Sequence, residues 1–224
     1  MTDDLFADQA EPYAAPQPIA PGAAILRGFA LPVADALVRG IHAVIAAAPL
    51  RHLVTPGGHT MSVAMSNCGP LGWTSDRLGY RYTAHDPASG QPWPAMPDGF
   101  LALARSAAQE AGFAHFTPNA CLINRYQPGA RMGLHQDRDE GGAAGDFTPP
   151  IVSLSLGLPA VFLFGGLQRN TPTTRWPLAH GDVVVWGGPA RLAFHGVAPL
   201  KGGVHPLLGA QRLNVTFRCV QPGR

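Results

Sequence analysis

The sequence predicts a mainly β fold with flanking helices: an antiparallel sandwich, barrel or jelly roll. Three observations carry this. From Ala120 onward, short alternating or apolar runs follow one another with no helical period between them. Glycine and proline, 27 and 23 of 224 residues, fall between those runs as turn residues do. The two stretches with helical spacing both lie upstream, so helices flank the strands rather than alternate with them.

Residues 1–20 are rich in alanine, proline and acids and read as a flexible tail. In "LPVADALVRGIHAVIAAAP", Val33, Leu37, Ile41, Val44 and Ile45 recur at helical spacing until Pro49 stops them, and His42 falls on the exposed side. Residues 21–95 continue into glycine- and aromatic-rich short strands and long loops carrying Trp73, Tyr80 and Tyr82. A second helix is expected in "PDGFLALARSAAQEAG", opened by a proline and closed by Gly112. Residues 96–224 hold the strand-rich core, with "CLINRY", "PIVSLSLG", "AVFLFGG", "DVVVWGG", "RLAFHGV" and "RLNVTFRCV" as its strands.

Composition narrows the class. At 46% hydrophobic the chain can bury a proper core, while charged residues are only 13%, against the roughly 25% usual in soluble proteins. A formal charge of +2 is compatible with a basic groove but does not define a nucleic-acid partner. Cys68, Cys121 and Cys219 are odd in number and form no C-x-x-C pair, which argues against a disulfide framework or zinc ribbon. The acidic N-terminus and the lack of any long apolar window predict a soluble, cytoplasmic protein without a membrane segment. Nothing in the sequence demands a partner chain, so a monomer is expected.

In so sparsely charged a chain, "GLHQDRDEGGAAGD" is conspicuous. His135 and Asp137, at i and i+2 near a strand, can converge on one ion. The pattern recurs at His180 and Asp182, but there it immediately precedes "VVVW" and reads as a polar turn feeding a buried strand. His195, 58 residues beyond Asp137 at the end of "RLAFH", can complete a two-histidine, one-carboxylate site, with Leu192 and Phe194 facing away from it. Such a triad suits non-haem Fe(II), and with a water it also suits catalytic zinc.

The last strand favours iron. Arg212, Asn214, Thr216 and Arg218 alternate with Leu213, Val215 and Phe217, so one whole face is polar. Two arginines inside a barrel need anions, and a dicarboxylic cosubstrate such as 2-oxoglutarate could meet a guanidinium with one end and a metal with the other. Asn124 and Tyr126, also at i and i+2, can face the same cavity. An edge strand with its polar face in solvent is the alternative.

These motifs occur together with "LFAD", "VTPGG", "TMSVAMSNCGPLGWT", "WPAMP", "CLINRYQPGA" and "HGDVVVWGG", in one order over nearly the whole chain. The set resembles the AlkB family of Fe(II)- and 2-oxoglutarate-dependent nucleic-acid dealkylases. The resemblance implies a double-stranded β-helix of jelly-roll type with an N-terminal nucleotide-recognition lid. It implies His135, Asp137 and His195 as the catalytic iron ligands and Asn124, Tyr126, Arg212, Asn214 and Arg218 as 2-oxoglutarate contacts. Trp73 would sandwich a flipped base against His135, and Asp139 would meet its exocyclic amine. Thr55, Met65, Tyr80, Arg131, Arg138 and Arg169 would touch the substrate strand or close its pocket.

The expected reaction consumes O2 and 2-oxoglutarate and demethylates N1-methyladenine or N3-methylcytosine in single- or double-stranded DNA, or RNA, releasing formaldehyde, succinate and CO2. His59 in place of the family's tyrosine, Gly133 in place of a serine, and a longer loop over residues 141–148 bear on substrate preference. The competing readings are a protein or small-molecule hydroxylase on the same core and a non-catalytic nucleic-acid-binding module.

Overall fold

A computed structural model describes residues 15–140 and 148–221. The elements, in chain order, are β1 (Gln17–Ala20), β2 (Ala23–Leu26), α1 (Ala34–Ala47), β3 (Arg51–Val54), β4 (Thr60–Cys68), β5 (Gly72–Asp76), β6 (Gly79–Thr83) and α2 (Asp98–Glu110). They continue as β7 (Ala120–Tyr126), β8 (Met132–His135), β9 (Ile151–Gly157), β10 (Ala160–Phe164), β11 (Thr174–Leu178), β12 (Val183–Trp186), β13 (His195–Val197) and β14 (Arg212–Arg218).

Among the described residues the strands form an eight-stranded sheet in the order β1-β2-β12-β9-β14-β7-β4-β3, a four-stranded sheet β11-β10-β13-β8 and the hairpin β5-β6. The pairings within these sheets are antiparallel, as short strands joined by glycine and proline turns allow. Both helices pack with the large sheet. α1 buries Leu37, Val38, Ile41 and Val44 from its helical stripe. α2 carries Asp98 in its first turn, where a carboxylate complements the helix dipole, and buries Phe100, Leu103, Ala104 and Ala107. Beyond it, Gly112 takes φ +87°, a left-handed conformation suited to a helix exit.

The helix-side core includes Ile123 of β7, Leu154 of β9, Val185 of β12 and Leu213, Val215 and Phe217 of β14. Each such side chain contributes roughly 1.5 to 3 kcal/mol by leaving water. β14 lies between β9 and β7, so its alternation puts three apolar residues under the helices and turns Arg212, Asn214, Thr216 and Arg218 to the opposite, buried face. This removes the solvent-edge alternative. It also sets the polar floor of the site.

The structure corrects several expectations. Residues 17–20 are not part of a free tail, because β1 pairs with β2. "RLAFHGV" is a strand only from His195, since a short 3-10 turn over Gly188–Ala190 continues into a bend in which Ala193 N donates to Ala190 O. The bend encloses Arg191, whose buried guanidinium donates to the carbonyls of Pro149 and Asp137, both at 2.9 Å. The strand expected at the His135 motif is β8, which ends at His135, whereas β11 was not anticipated. β1 to β4, which precede residue 96, share the sheet with β7 and β14. No helix among the described residues is long and apolar enough to cross a membrane.

Candidate active site

Three ligand-type side chains meet where the two larger sheets face each other. β13 and β8 pair so that His195 lies opposite His135, with ring centroids 4.4 Å apart. Asp137 follows just beyond the end of β8 rather than on it, and one ligand atom from each of the three lies within 4.8 Å of the others. Each imidazole is oriented by its own chain. His135 Nδ1 donates to Gly133 O at 2.9 Å and His195 Nδ1 to Ala193 O at 3.0 Å, which leaves both Nε2 atoms facing Asp137 Oδ1 at 3.4 and 3.9 Å. Anchoring of Nδ1 by a carbonyl selects the tautomer that ligates through Nε2.

Charge supports this reading. Burial, then the neighbouring His135, lowers the pKa of His195 to about 4, so it is neutral at physiological pH. Burial opposes a charge on His135, yet the adjacent Asp137 carboxylate outweighs it and raises the imidazole above 6.5. Burial also opposes ionisation of Asp137, but the Arg218 cation holds it well below the usual carboxylate range. A carboxylate and two imidazoles whose Nε2 atoms converge on it fit a divalent metal, which would take the place of the proton that Asp137 favours on His135.

The polar face of β14 continues from the triad into a cavity of about 460 Å3. Arg212, 2% exposed, lines it and donates Nη2 to Ser155 Oγ at 2.8 Å, while its Nε and Nη1 have no hydrogen-bond partner among the described residues. Its guanidinium lies 4.9 Å over the ring of Tyr126. Asn124 Nδ2 donates to Asn214 Oδ1 at 3.2 Å, but Asn124 Oδ1 is also unsatisfied. A buried guanidinium with two idle donors is costly unless an anion completes it. The donor set therefore fits a carboxylate.

The lining also has an aromatic and acidic part. Trp73 stacks on Tyr80, with centroids 5.6 Å apart at 17°, and its Nε1 donates to Asp139 Oδ2 at 3.0 Å. Thr55, Met65 and Arg131 also line the cavity. Arg138 and Arg169 do not: Arg138 Nε donates to Gln136 Oε1 at 2.9 Å, and Arg169 sits 5.7 Å over the Phe194 ring. Arg218 reaches the cavity while bound to Asp137 Oδ2 at 2.9 and 2.7 Å. The His180–Asp182 repeat is structural, since Asp182 accepts from Arg27, Gly28 N and Ala179 N, and His180 stacks on His205.

Of the departures from the family pattern, Gly133 is exposed with open space where a Cβ would stand. His59 is exposed, its amide donating to Thr55 Oγ1 at 3.1 Å. Residues 141–147 lie outside the described residues.

Sequence reasoning missed a buried charge network beside the triad. Glu140, 2% exposed, accepts from Tyr82 Oη at 2.6 Å and meets Arg218 Nε and Arg191 Nη2, each at 3.3 Å. Burial, then the charge of Asp137, raises its pKa. The available signal was that Glu140 directly follows Asp139 in a chain otherwise poor in charge.

Two imidazoles and a carboxylate that converge for a metal, beside a buried cation with no acid partner among the described residues, fit an oxygenase that uses a dicarboxylic cosubstrate. Residues 22–218 match the model of the 2OG-Fe(II) oxygenase superfamily, and the chain belongs to that family. Within it the chain is an AlkB-type, Fe(II)- and 2-oxoglutarate-dependent dioxygenase. It is 58% identical over 215 residues to the alpha-ketoglutarate-dependent dioxygenase AlkB of Escherichia coli, covering 96% of each chain. It is 56% identical over 215 residues to the protein of that name from Salmonella typhimurium, again over 96% of each. Among solved structures it resembles OsALKBH1, with a TM-score of 0.76 at 28% identity, over 91% of this chain and 99% of that one.

Proposed function

We propose that this dioxygenase repairs nucleic acid by direct reversal, removing the alkyl group from N1-methyladenine and N3-methylcytosine in single- or double-stranded DNA and in RNA. The observation that carries the reading is what one cavity brings together: Arg212, the metal triad, and Trp73, Tyr80 and Asp139 all line it. The two larger sheets are read as the halves of a double-stranded β-helix of jelly-roll type, and the segment carrying β5 and β6 as its nucleotide-recognition lid.

In this reading His135, Asp137 and His195 hold Fe(II). Arg212 takes the distal carboxylate of 2-oxoglutarate, with Asn124, Tyr126, Asn214 and Arg218 around the rest of the cosubstrate. Bound iron, with 2-oxoglutarate and O2, supplies oxidation of the N-alkyl carbon, ending in formaldehyde, succinate and CO2. The chain binds and positions. Trp73 stacks on the flipped base opposite His135, Asp139 accepts a hydrogen bond from its exocyclic amine, and Thr55, Met65 and Tyr80 close around it. Arg131, Arg138 and Arg169 meet the strand's phosphates.

Unstacking a base costs a few kcal/mol, least for damaged or single-stranded bases, and an aromatic stack returns about 1 to 3 kcal/mol. Single strands are therefore processed at least as readily as duplex. The test is anaerobic loading with Fe(II) and 2-oxoglutarate, then O2 and a short N3-methylcytosine oligonucleotide. Methyl loss matched by formaldehyde and succinate is expected for the parent, and its collapse is expected for Trp73→Ala. Succinate without methyl loss would redirect the reading to a protein or small-molecule hydroxylase.

A further inference from the structure

Asp139 and Glu140 are chain neighbours with opposite surroundings, the first exposed and the second 2% exposed. Trp73 and Tyr82 are register partners across the β5–β6 ladder. Two hydrogen bonds join these pairs corner to corner: Trp73 Nε1 to Asp139 Oδ2 at 3.0 Å, and Tyr82 Oη to Glu140 Oε1 at 2.6 Å.

The two bonds are not equivalent. The indole bond ends on a carboxylate open to water, so it exchanges at little cost, and its acceptor is the acid that a base amine would claim. The phenol bond ends on a buried carboxylate already braced by Arg191 and Arg218 at 3.3 Å each, and Arg218 continues to Asp137. A buried, charge-assisted O–H···O bond is roughly twice as strong as a neutral one. Tyr82 is absent from the cavity lining.

We infer that Tyr82 and Glu140 form the retained latch of the hairpin, while the Trp73–Asp139 bond is the one surrendered when a base enters. Asp139 then turns from the indole to the base, and the hairpin stays docked because its second strand is still held. Tyr82 and Glu140 are thus positioning residues: they keep Trp73 over the metal side without contributing a reacting group. The identity of the entering group rests on the dealkylation reading; the division of labour between the two bonds does not.

Hydrogen exchange on the metal-free full chain tests this, comparing the parent with Tyr82→Phe and Trp73→Phe. Tyr82→Phe is expected to speed exchange of the amides over residues 72–83 about tenfold, the weight of one buried charge-assisted bond, without affecting β14. Trp73→Phe is expected to leave hairpin exchange within about twofold. In the loaded enzyme, Tyr82→Phe should raise the KM for a methylated oligonucleotide about tenfold and leave the KM for 2-oxoglutarate unchanged. The latch is overturned if Tyr82→Phe exchanges like the parent, if Trp73→Phe loosens the hairpin equally, or if β14 accelerates in step with it. A parent that exchanges and responds as expected but leaves methylated oligonucleotides intact would overturn the dealkylation reading alone.

Discussion

Arg218 grips one oxygen of Asp137 and thereby assigns the other. Its Nε and Nη2 donate to Oδ2 at 2.9 and 2.7 Å, so Oδ1 is the atom turned to the two imidazoles. A ligating carboxylate free to rotate would offer the metal either oxygen.

Arg218→Lys keeps the charge but not the fork. Fe(II) affinity, followed with Mn(II) by calorimetry, is expected to fall about 10- to 100-fold, as for other outer partners of metal ligands. Unchanged affinity would mean that the fork does not orient Asp137.

Arg212 is a buried cation with two idle donors. In Arg212→Met, 2-oxoglutarate binding is expected to weaken by about 30-fold or more, in line with loss of one partner of a buried charge pair. The ligand-free variant should melt no lower than the parent, because an apolar side chain replaces an incompletely satisfied charge. A lower melting point together with unchanged 2-oxoglutarate binding would make the arginine purely structural.

Gly72 opens the β5–β6 hairpin where a Cβ would stand 2.4 Å from ring atoms of Trp93 and 2.8 Å from the Asn67 Cβ. Gly72→Ala is expected to cost about 1 to 3 kcal/mol in urea unfolding by overpacking. Gly133→Ser, in open space, should stay within about 0.5 kcal/mol. Equal costs for the two variants would contradict the packing described.

Asp76 and Arg81 pair across the hairpin, Arg81 Nη1 and Nη2 donating to the two carboxylate oxygens at 2.9 and 2.6 Å. Hydrogen bonding from Arg81, then from the Leu78 amide, lowers the pKa of Asp76 from 3.8 to about 2. Because the folded value is depressed, the pair's contribution is complete above pH 3.8 and is lost as pH falls through about 2. Carbon-13 NMR of the carboxyl should show the pKa returning toward 3.8 in Arg81→Leu. A value still near 2 in that variant would credit the Leu78 amide instead.

Periodic and local features were legible in the sequence. The alternation of β14 gave both its apolar face and its polar one, and His135, Asp137 and His195 stood out because ligand-type residues are scarce around them. The Glu140 network was not legible, since Tyr82, Arg191 and Arg218 approach it from three distant segments and long-range pairing leaves no period. β11 was hidden by Pro177, which a strand tolerates at a sheet edge, where this one lies. The start of β13 was misread because "RLAFH" alternates like a strand, whereas burying the Arg191 guanidinium bends the chain there.

β4 joins the upstream part of the chain to the downstream part through its ladder with β7, and β2 does the same through β12. The unit that can be exchanged without opening the large sheet is therefore the β5–β6 hairpin, not the whole stretch ahead of residue 96. A fragment beginning at residue 96 would leave β7 and β12 with bare edges, and such an edge recruits other chains instead of yielding a minimal catalyst.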